Sequence, residues 1–355
     1  MTRPGQGANL RFVGEAGGIE ERLAEQSLIG FSAVESGQVL GKAPREVARS
    51  LARMRRGAAQ CAAVVRDFRP DVALLTGGYV TVPAAWAAWR ARPRVPVLIY
   101  LPDLSPGLAV RLTSRLAERV AVSFPEAARY FPGKAVVTGY PVRATLQQAD
   151  KDASRAALGL EASVPVLLAF GGSRGAQSIN RALLGALPML LNQCQVVHIT
   201  GTLDWPWLQE AARTENGILA GLAAQARERY HVYPYLHDEM AHALGAADLV
   251  IARAGASVLG EFPALGLPSI LVPYPYAGQH QEANAAYLTD RGAAVTVQDD
   301  QLSERMAPLV LELLAQPERL SRMARSARAL ARSDASARIV AELSRLAAVK
   351  DRGLP

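Results

Sequence analysis

The stretch "IARAGASVLGEFPALGLPSILVPYPYAGQHQEANA", residues 251–285, decides the fold. It runs from an apolar strand into a Gly255-Ala256-Ser257 turn, then an apolar helix carrying one carboxylate, Glu261, then a second apolar strand and a polar loop. Two strands joined through a helix in this way run parallel in one sheet. Pro263 lacks an amide hydrogen and is expected to shorten or bend the intervening helix.

The same alternation extends in both directions. "LRFVG", "DVALLTGG", "VPVLIYL", "RVAVSF" and "AVVTGYP" come first, and "VPVLLAFGG", "QVVHITG", "YHVYPYL", "ADLVIARAG" and "PSILVPY" follow, separated by alanine-rich helical segments. Continuous apolar strands of this kind belong to parallel sheets covered on both faces. The series resets in "PVRATLQQADKDASRAALGLEASVP", which is polar and short of strand signals. The expected fold is therefore α/β, with two units joined at about 143–163 rather than one sheet, and ligand in the cleft at the carboxyl ends of the strands. The expected boundaries are 1–142 for the first domain and 143–335 for the second, with a C-terminal helix at about 336–355 packing back on the first.

At 355 residues, half of them hydrophobic and a fifth charged, the composition is globular. No apolar run approaches the roughly 18 residues of a membrane span, and the opening "MTRPGQGANLRFVGE" has no signal-peptide apolar region. Cys61 and Cys194 lack metal-ligand spacing and read as core residues. The net charge of +7 is uneven: residues 1–146 carry +9 and the remainder −2. The basic half therefore expects an anionic partner, whether phospholipid, nucleic acid or phosphorylated substrate. Nucleic acid is set aside, because the arginines are not interleaved with aromatics on strands and no recognition motif occurs.

Two glycine turns carry the chemistry. "LLAFGGSRGAQSINRALL" places Gly171, Gly172, Ser173 and Gly175 between a strand and a helix, where free amides and the helix dipole attract phosphate. A tight strand-to-helix turn needs glycine in any case. A nicotinamide site would want an acidic residue ending the next strand, but "QVVHITG" ends in Thr200 and Gly201. The carboxylate stands instead at Glu261, one helical turn beyond the second glycine turn, where it suits a ribose cis-diol; the plainer reading is a glutamate answering the helix dipole. Gln279, His280, Gln281 and Asn284 follow the next strand, and amide side chains match sugar hydroxyls.

"GGSRGAQSIN", "YLHDEM", "RAGASVLGEFPALGLPSILVPYPYAGQHQEANA", "PDVALLTGGYVTVPAAWAA" and "TGYPVR" together resemble glycosyltransferase family 28. Within it, the closest pattern is that of the enzymes transferring N-acetylglucosamine from UDP-N-acetylglucosamine (UDP-GlcNAc) to undecaprenyl-diphospho-muramoyl-pentapeptide in peptidoglycan synthesis. The resemblance implies that Leu236 borders the uracil. Arg143 and Ser173, with Gly255, Ala256 and Ser257, would address the diphosphate. Glu261 would hold the ribose, His280 and Gln281 the sugar hydroxyls, and Gly77, Gly78 and Tyr79 would line the acceptor side. It implies the GT-B fold, two Rossmann-like domains with parallel sheets facing a cleft, and inverting transfer with no cofactor and no protein-bound metal, at the cytoplasmic face of a bacterial membrane.

The sequence also departs from the family. The opening strand and Gly-Gly-Thr-x-Gly-His loop have no counterpart, so the chain is expected to open where the family's second strand would be. The usual His-Glu-Gln-Asn element reads Tyr100-Leu101-Pro102-Asp103, which leaves Asp103 as the candidate catalytic base. The Asp usual before the His/Gln pair gives way to Gly278 or Gln279. In "REVARSLARMRR", Arg45, Arg49, Arg53 and Arg56 share one helical stripe, suited to an anionic membrane surface, and Val47, Leu51 and Met54 fall opposite on the expected core face. Trp86 and Trp89, near Arg90, Arg92 and Arg94, suit either interfacial anchoring or the core.

Overall fold

The computed structural model describes residues 7–37, 44–172, 175–213, 222–275 and 280–350. In chain order the first elements are β1 (Arg11–Gly14), α1 (Ile19–Gln26), β2 (Gly30–Ala33), α2 (Pro44–Phe68), β3 (Ala73–Leu75), α3 (Thr81–Arg90), β4 (Val97–Leu101), α4 (Leu108–Thr113), β5 (Arg119–Val122) and β6 (Ala135–Val137). Then come α5 (Ala144–Gln147), α6 (Lys151–Ala157), β7 (Val166–Phe170), α7 (Gln177–Leu190), β8 (Gln195–Ile199), α8 (Trp205–Arg213), α9 (Ala224–Glu228) and β9 (Tyr230–Tyr233). The last are α10 (Met240–Ala246), β10 (Leu249–Arg253), α11 (Val258–Leu265), β11 (Ser269–Val272), α12 (His280–Thr289), β12 (Ala294–Thr296), α13 (Leu302–Leu314), α14 (Pro317–Ala329) and α15 (Ala335–Lys350).

The chain forms two compact units, Met1–Tyr140 with Asp334–Pro355, and Pro141–Ser333. All strand pairs among the described residues are parallel. In the second unit six strands make one sheet in the order β12-β11-β10-β7-β8-β9. β7, β10 and β11 are apolar and buried almost throughout because helices cover both faces. On one face Ile179, Leu183, Leu187 and Leu190 of α7, spaced three and four apart, pack with Met306, Leu309, Val310 and Leu313 of α13. Each such side chain contributes roughly 1.5–3 kcal/mol on burial. Two polar residues tolerate the interior of β8 because they are bonded: Gln195 accepts from Glu161 N at 2.7 Å and donates to Glu161 O at 2.9 Å, and His198 joins a buried network described below.

In the first unit the strands form a β3-β4-β5-β6 sheet and a separate β1-β2 pair. β4 is buried at every position, with α15 returning to cover Leu98, Tyr100 and Ala121 through Ile339 and Leu346. Helices α2 and α3 supply Cys61, Val65, Ala84 and Ala87 to a small core with Val13 and Val34. β2 and β12 are strands absent from the sequence reading; "GFSA" and "AVT" are too short and too mixed to stand out as apolar runs. Leu51, expected on the core face of α2, is 51 % exposed. The buried line of that helix runs through Gly57 and Cys61, where Gly57 lies so close to the Glu35 carbonyl that a Cβ would collide, and Leu51 falls on its flank. Arg45, Arg49, Arg53 and Arg56 are exposed, the last two sharing Glu35 at 3.8 and 2.9 Å.

Both cysteines are buried, and burial pushes the thiols up, to about 11 for Cys61 and about 12 for Cys194, so neither is a ready nucleophile. Among the described residues no helix is long and apolar enough to cross a membrane, and no group of three His, Cys, Asp or Glu could hold a metal ion.

Candidate nucleotide-sugar site

The strand order of the second unit dictates where a ligand fits. From β7 the chain steps outward to β8 and β9, then returns to lay β10, β11 and β12 on the other side of β7. The loops after β7 and β10 therefore part from each other, and a crevice opens at the carboxyl ends of those strands. A cavity of about 860 Å³ occupies that place, lined by Phe170 to Gly172 and Gly175 after β7, Leu203 and Asp204 after β8, Gly255 and Ser257 after β10, Tyr274 and Gln281 after β11, and Asp299 after β12.

The glycine loop after β7 is shaped by close backbone approach. A Cβ on Gly171 would sit 2.2 Å from the Ala176 Cβ, and one on Gly175, where φ is +87°, would sit 2.2 Å from the Thr200 carbonyl oxygen. No larger residue fits either position without moving backbone. Gly255, by contrast, faces open space. Among the described residues no backbone carbonyl takes the amides of Gly255, Ala256 or Ser257; the first bonds of the following turn are Val258 N to Gly255 O and Leu259 N to Ala256 O. α7 and α11 both begin at the cavity, so two positive helix ends converge on it. Pro263 lies inside α11, which ends two residues later in a left-handed Gly266, its amide donating to Pro263 O at 3.0 Å.

The charged lining residues answer one another. Arg253 Nη1 meets Asp299 Oδ1 at 2.5 Å, Nη2 donates to Ser178 Oγ at 2.7 Å, and that hydroxyl donates to the same carboxylate at 2.7 Å. Arg253 also reaches the carbonyls of Val272 and Pro273 at 3.3 Å and underlies the Tyr274 ring at 5.3 Å. Its charge is thus matched in place, and the anion-attracting groups of the described lining are backbone amides and helix ends.

Of the residues singled out from sequence, Gly171, Gly172, Gly175, Gly255, Ser257 and Gln281 line the cavity. Gln281 Oε1 accepts from Tyr274 N at 2.9 Å, which leaves its Nε2 hydrogens as donors without a partner among the described residues. Ala256 stands in the same turn. Glu261 and Arg143 are not among the residues lining the cavity; Glu261 lies on α11, which packs on α5, and Arg143 immediately precedes α5. Burial lifts the Glu261 carboxyl above its usual range, and the Arg143 guanidinium pulls it the other way. Leu236 follows β9, flanked by the rings of Tyr235 and His237, whose centroids are 4.7 Å apart. His280 is the first residue of α12. Ser173, Gly278 and Gln279 lie outside the described residues.

In the first unit Gly77 and Gly78 follow β3 with φ of +101° and +79°, and no atom lies within 4 Å of where a Gly78 Cβ would be. Tyr79 is exposed, and the Thr81 hydroxyl donates to Gly77 O, tying the loop to the start of α3. Asp103 follows β4, the strand paired with β3, so it shares the carboxyl edge of the sheet with that loop. Tyr100 and Leu101 are buried, the Tyr100 hydroxyl 2.8 Å from Ser123 Oγ, so two of the four positions of that element serve the core.

Sequence reasoning passed over Arg253, Asp299, Ser178 and Asp204. Arg253 stands inside the motif-bearing stretch, but nothing local marks it as bonded to residues 46 and 75 positions away.

Two family models match the chain: the glycosyltransferase family 28 N-terminal domain over residues 4–122 and the glycosyltransferase family 28 C-terminal domain over residues 166–339. A relative from Roseiflexus sp. (strain RS-1) is 40 % identical over 92 % of this chain and 81 % of its own length. One from Desulforudis audaxviator is 40 % identical over 96 % of this chain and 91 % of its own. Both are UDP-N-acetylglucosamine–N-acetylmuramyl-(pentapeptide) pyrophosphoryl-undecaprenol N-acetylglucosamine transferases. The crystal structure of Acinetobacter baumannii MurG superposes with a TM-score of 0.72 at 26 % identity, covering 96 % of this chain and 92 % of that one. The UDP-GlcNAc 2-epimerase of Neisseria meningitidis shares the fold, with a TM-score of 0.65 at 16 % identity, covering 94 % of this chain and 91 % of that one.

Proposed function

The chain belongs to glycosyltransferase family 28, and from that premise we propose that it transfers N-acetylglucosamine from UDP-GlcNAc to undecaprenyl-diphospho-muramoyl-pentapeptide, the lipid-linked step of peptidoglycan synthesis. The observation that carries this reading in the molecule itself is the switch-point cavity, whose glycine turns and helix ends suit a diphosphate while Gln281 offers amide hydrogens on one flank.

In this reading the Gly255–Ser257 turn, with Ser173 and Arg143, receives the diphosphate, and Leu236 borders the uracil. Glu261 accepts from the ribose hydroxyls, and His280 and Gln281 hold the sugar. Glu261 reaches the ribose from beside the cavity, on the helix whose start forms the turn. Gly77, Gly78 and Tyr79 present the acceptor, and Asp103 removes the proton from the attacking hydroxyl, which displaces UDP from the anomeric carbon with inversion. Charge developing on UDP is met by amides and helix ends already in place.

The enzyme would work at the cytoplasmic face of the cell membrane as a peripheral protein. Arg45, Arg49, Arg53 and Arg56 offer positive charge to anionic headgroups. Trp86 and Trp89 of α3 and Leu108 and Leu112 of the neighbouring α4 are exposed, and Arg90 lies 5.0 Å from the Trp86 ring, an apolar group with basic company suited to an interface.

The deciding experiment supplies radiolabelled UDP-GlcNAc with the undecaprenyl-linked muramoyl-pentapeptide and follows label into lipid. Transfer with UDP release is the expected result; UDP binding without transfer would overturn the enzymatic reading. The burial of Tyr100 and Leu101 favours a second reading, a different lipid acceptor, in which label enters another component of a lipid extract.

A further inference from the structure

A carboxylate in a cavity built for an anion needs a reason. Asp204 lines the cavity and is 8 % exposed. Its Oδ1 accepts from Trp207 Nε1 at 3.1 Å and its Oδ2 from Asn180 Nδ2 at 2.8 Å. Asn180 Nδ2 also donates to the Thr200 carbonyl at 2.9 Å, so this amide has one possible orientation, and its Oδ1 must accept. The group facing that oxygen at 2.9 Å is His198 Nε2, which therefore carries the hydrogen. Burial holds His198 neutral, lowering it to about 3, so Nδ1 is an acceptor, and the Tyr230 hydroxyl 2.8 Å away donates to it. The bonds run in one direction, from Tyr230 on β9 through His198 on β8 and Asn180 on α7 to Asp204.

Each carboxylate oxygen has two lone pairs, so Asp204, with one donor on each, keeps acceptor capacity toward the cavity. Strand order says which part of a ligand meets it. The glycine turns after β7 and β10 hold the centre; Tyr274 and Gln281 after β11 stand on one flank, and Leu203 and Asp204 after β8 on the other. A carboxylate repels a diphosphate, so its neighbour is an uncharged portion bearing N–H or O–H groups, and the sugar-suited amide is on the opposite flank.

We propose that Asp204 accepts a hydrogen bond from the nucleoside portion of the bound nucleotide sugar, and that Asn180, His198 and Tyr230 are positioning residues that hold its carboxylate in place. This rests on the nucleotide-sugar reading above and adds a nucleoside contact to it.

The test is calorimetry on the full chain with UDP and with UDP-GlcNAc. Asp204→Asn keeps the shape and loses the charged acceptor; binding should weaken about 10- to 100-fold, as expected for a hydrogen bond to a charged group, and by the same factor for both ligands, which share the nucleoside. Equal binding by variant and parent overturns the proposal, as does a loss confined to UDP-GlcNAc. Tyr230→Phe removes only the distant O–H and should raise KM for the donor about threefold at unchanged kcat, a split that a purely structural role would not produce; an unchanged KM removes the positioning relay. Failure of the parent to bind either ligand overturns the nucleotide-sugar reading itself, a result distinct from equal binding by the two proteins.

Discussion

The two sheets cover their apolar strands to different extents. The six-stranded sheet of the second unit is continuous, and the large apolar side chains exposed among its described residues are Met189, Leu203 and Tyr274, the last two in the cavity. In the first unit the strands fall into a pair and a foursome, and Leu10, Phe12, Leu28, Leu74, Trp86, Trp89 and Leu108 are all exposed. Exposure in the second unit thus marks a small-molecule pocket, whereas in the first it marks a surface, the usual sign of a larger partner. All five histidines also fall in the second unit, so the two should differ in their response to acid.

The most severe way to break the contrast is at the glycine turns. Gly175→Ala puts a Cβ against the Thr200 carbonyl at a positive φ, and should cost roughly 3 kcal/mol in a melting experiment and at least 100-fold in UDP affinity. Gly255→Ala meets open space and should melt like the parent, so any loss of affinity there reports the ligand's approach. A Gly175→Ala protein that binds normally would mean that close loop packing does not build the pocket.

Acid separates the units next. The unfolded chain binds a proton at His198 near its ordinary 6.5, while the folded protein resists until about 3, so stability is present above 6.5 and is lost as pH falls through that interval. The slope from this one residue is up to about 1.4 kcal/mol per pH unit, and His198→Gln should flatten it in pH-dependent denaturation of the second unit.

Glu261 has the opposite sign. Its carboxyl is raised in the folded state, so it costs stability as pH rises above the ordinary carboxyl range. Glu261→Gln should therefore melt higher than the parent at pH 7 and equal to it below about pH 4, taking the ordinary carboxyl range as reference. Glu261→Ala should weaken UDP-GlcNAc binding roughly 10- to 30-fold if the carboxylate holds a ribose.

For the first unit the expected effects are on surfaces. Replacing Trp86 and Trp89 together with serine should reduce partition onto anionic phospholipid vesicles about tenfold without changing UDP affinity. Arg53→Gln with Arg56→Gln should reduce it about fivefold, and less as salt is raised, since each basic side chain is worth about 1 kcal/mol at a charged membrane and Glu35 already answers about one charge of this pair. Equal vesicle binding by all three proteins would erase the distinction between the units.

What the sequence determined alone is what neighbouring residues encode. "VLLAF", "LVIAR" and "SILV" announce buried parallel strands because every position in the first, and all but one in each of the last two, is apolar, and the glycines at 171 and 175 announce a turn because the backbone must approach something closely there. Gly255 and Ser257 could be placed at the cavity because they stand in the turn directly after β10, and Gln281 because it follows the loop after β11. Tertiary structure decided the rest. Ser178 and Asp299 are 121 residues apart and meet at Arg253 because β7, β10 and β12 end at the same edge of one sheet. The exposure of Leu51 turned on which flank of α2 its neighbours occupy, and the direction of the bonds from Tyr230 to Asp204 on three elements that lie side by side only after folding. Periodicity and turn chemistry are local and can be read along the chain; side chains converge according to strand order, which no single stretch contains.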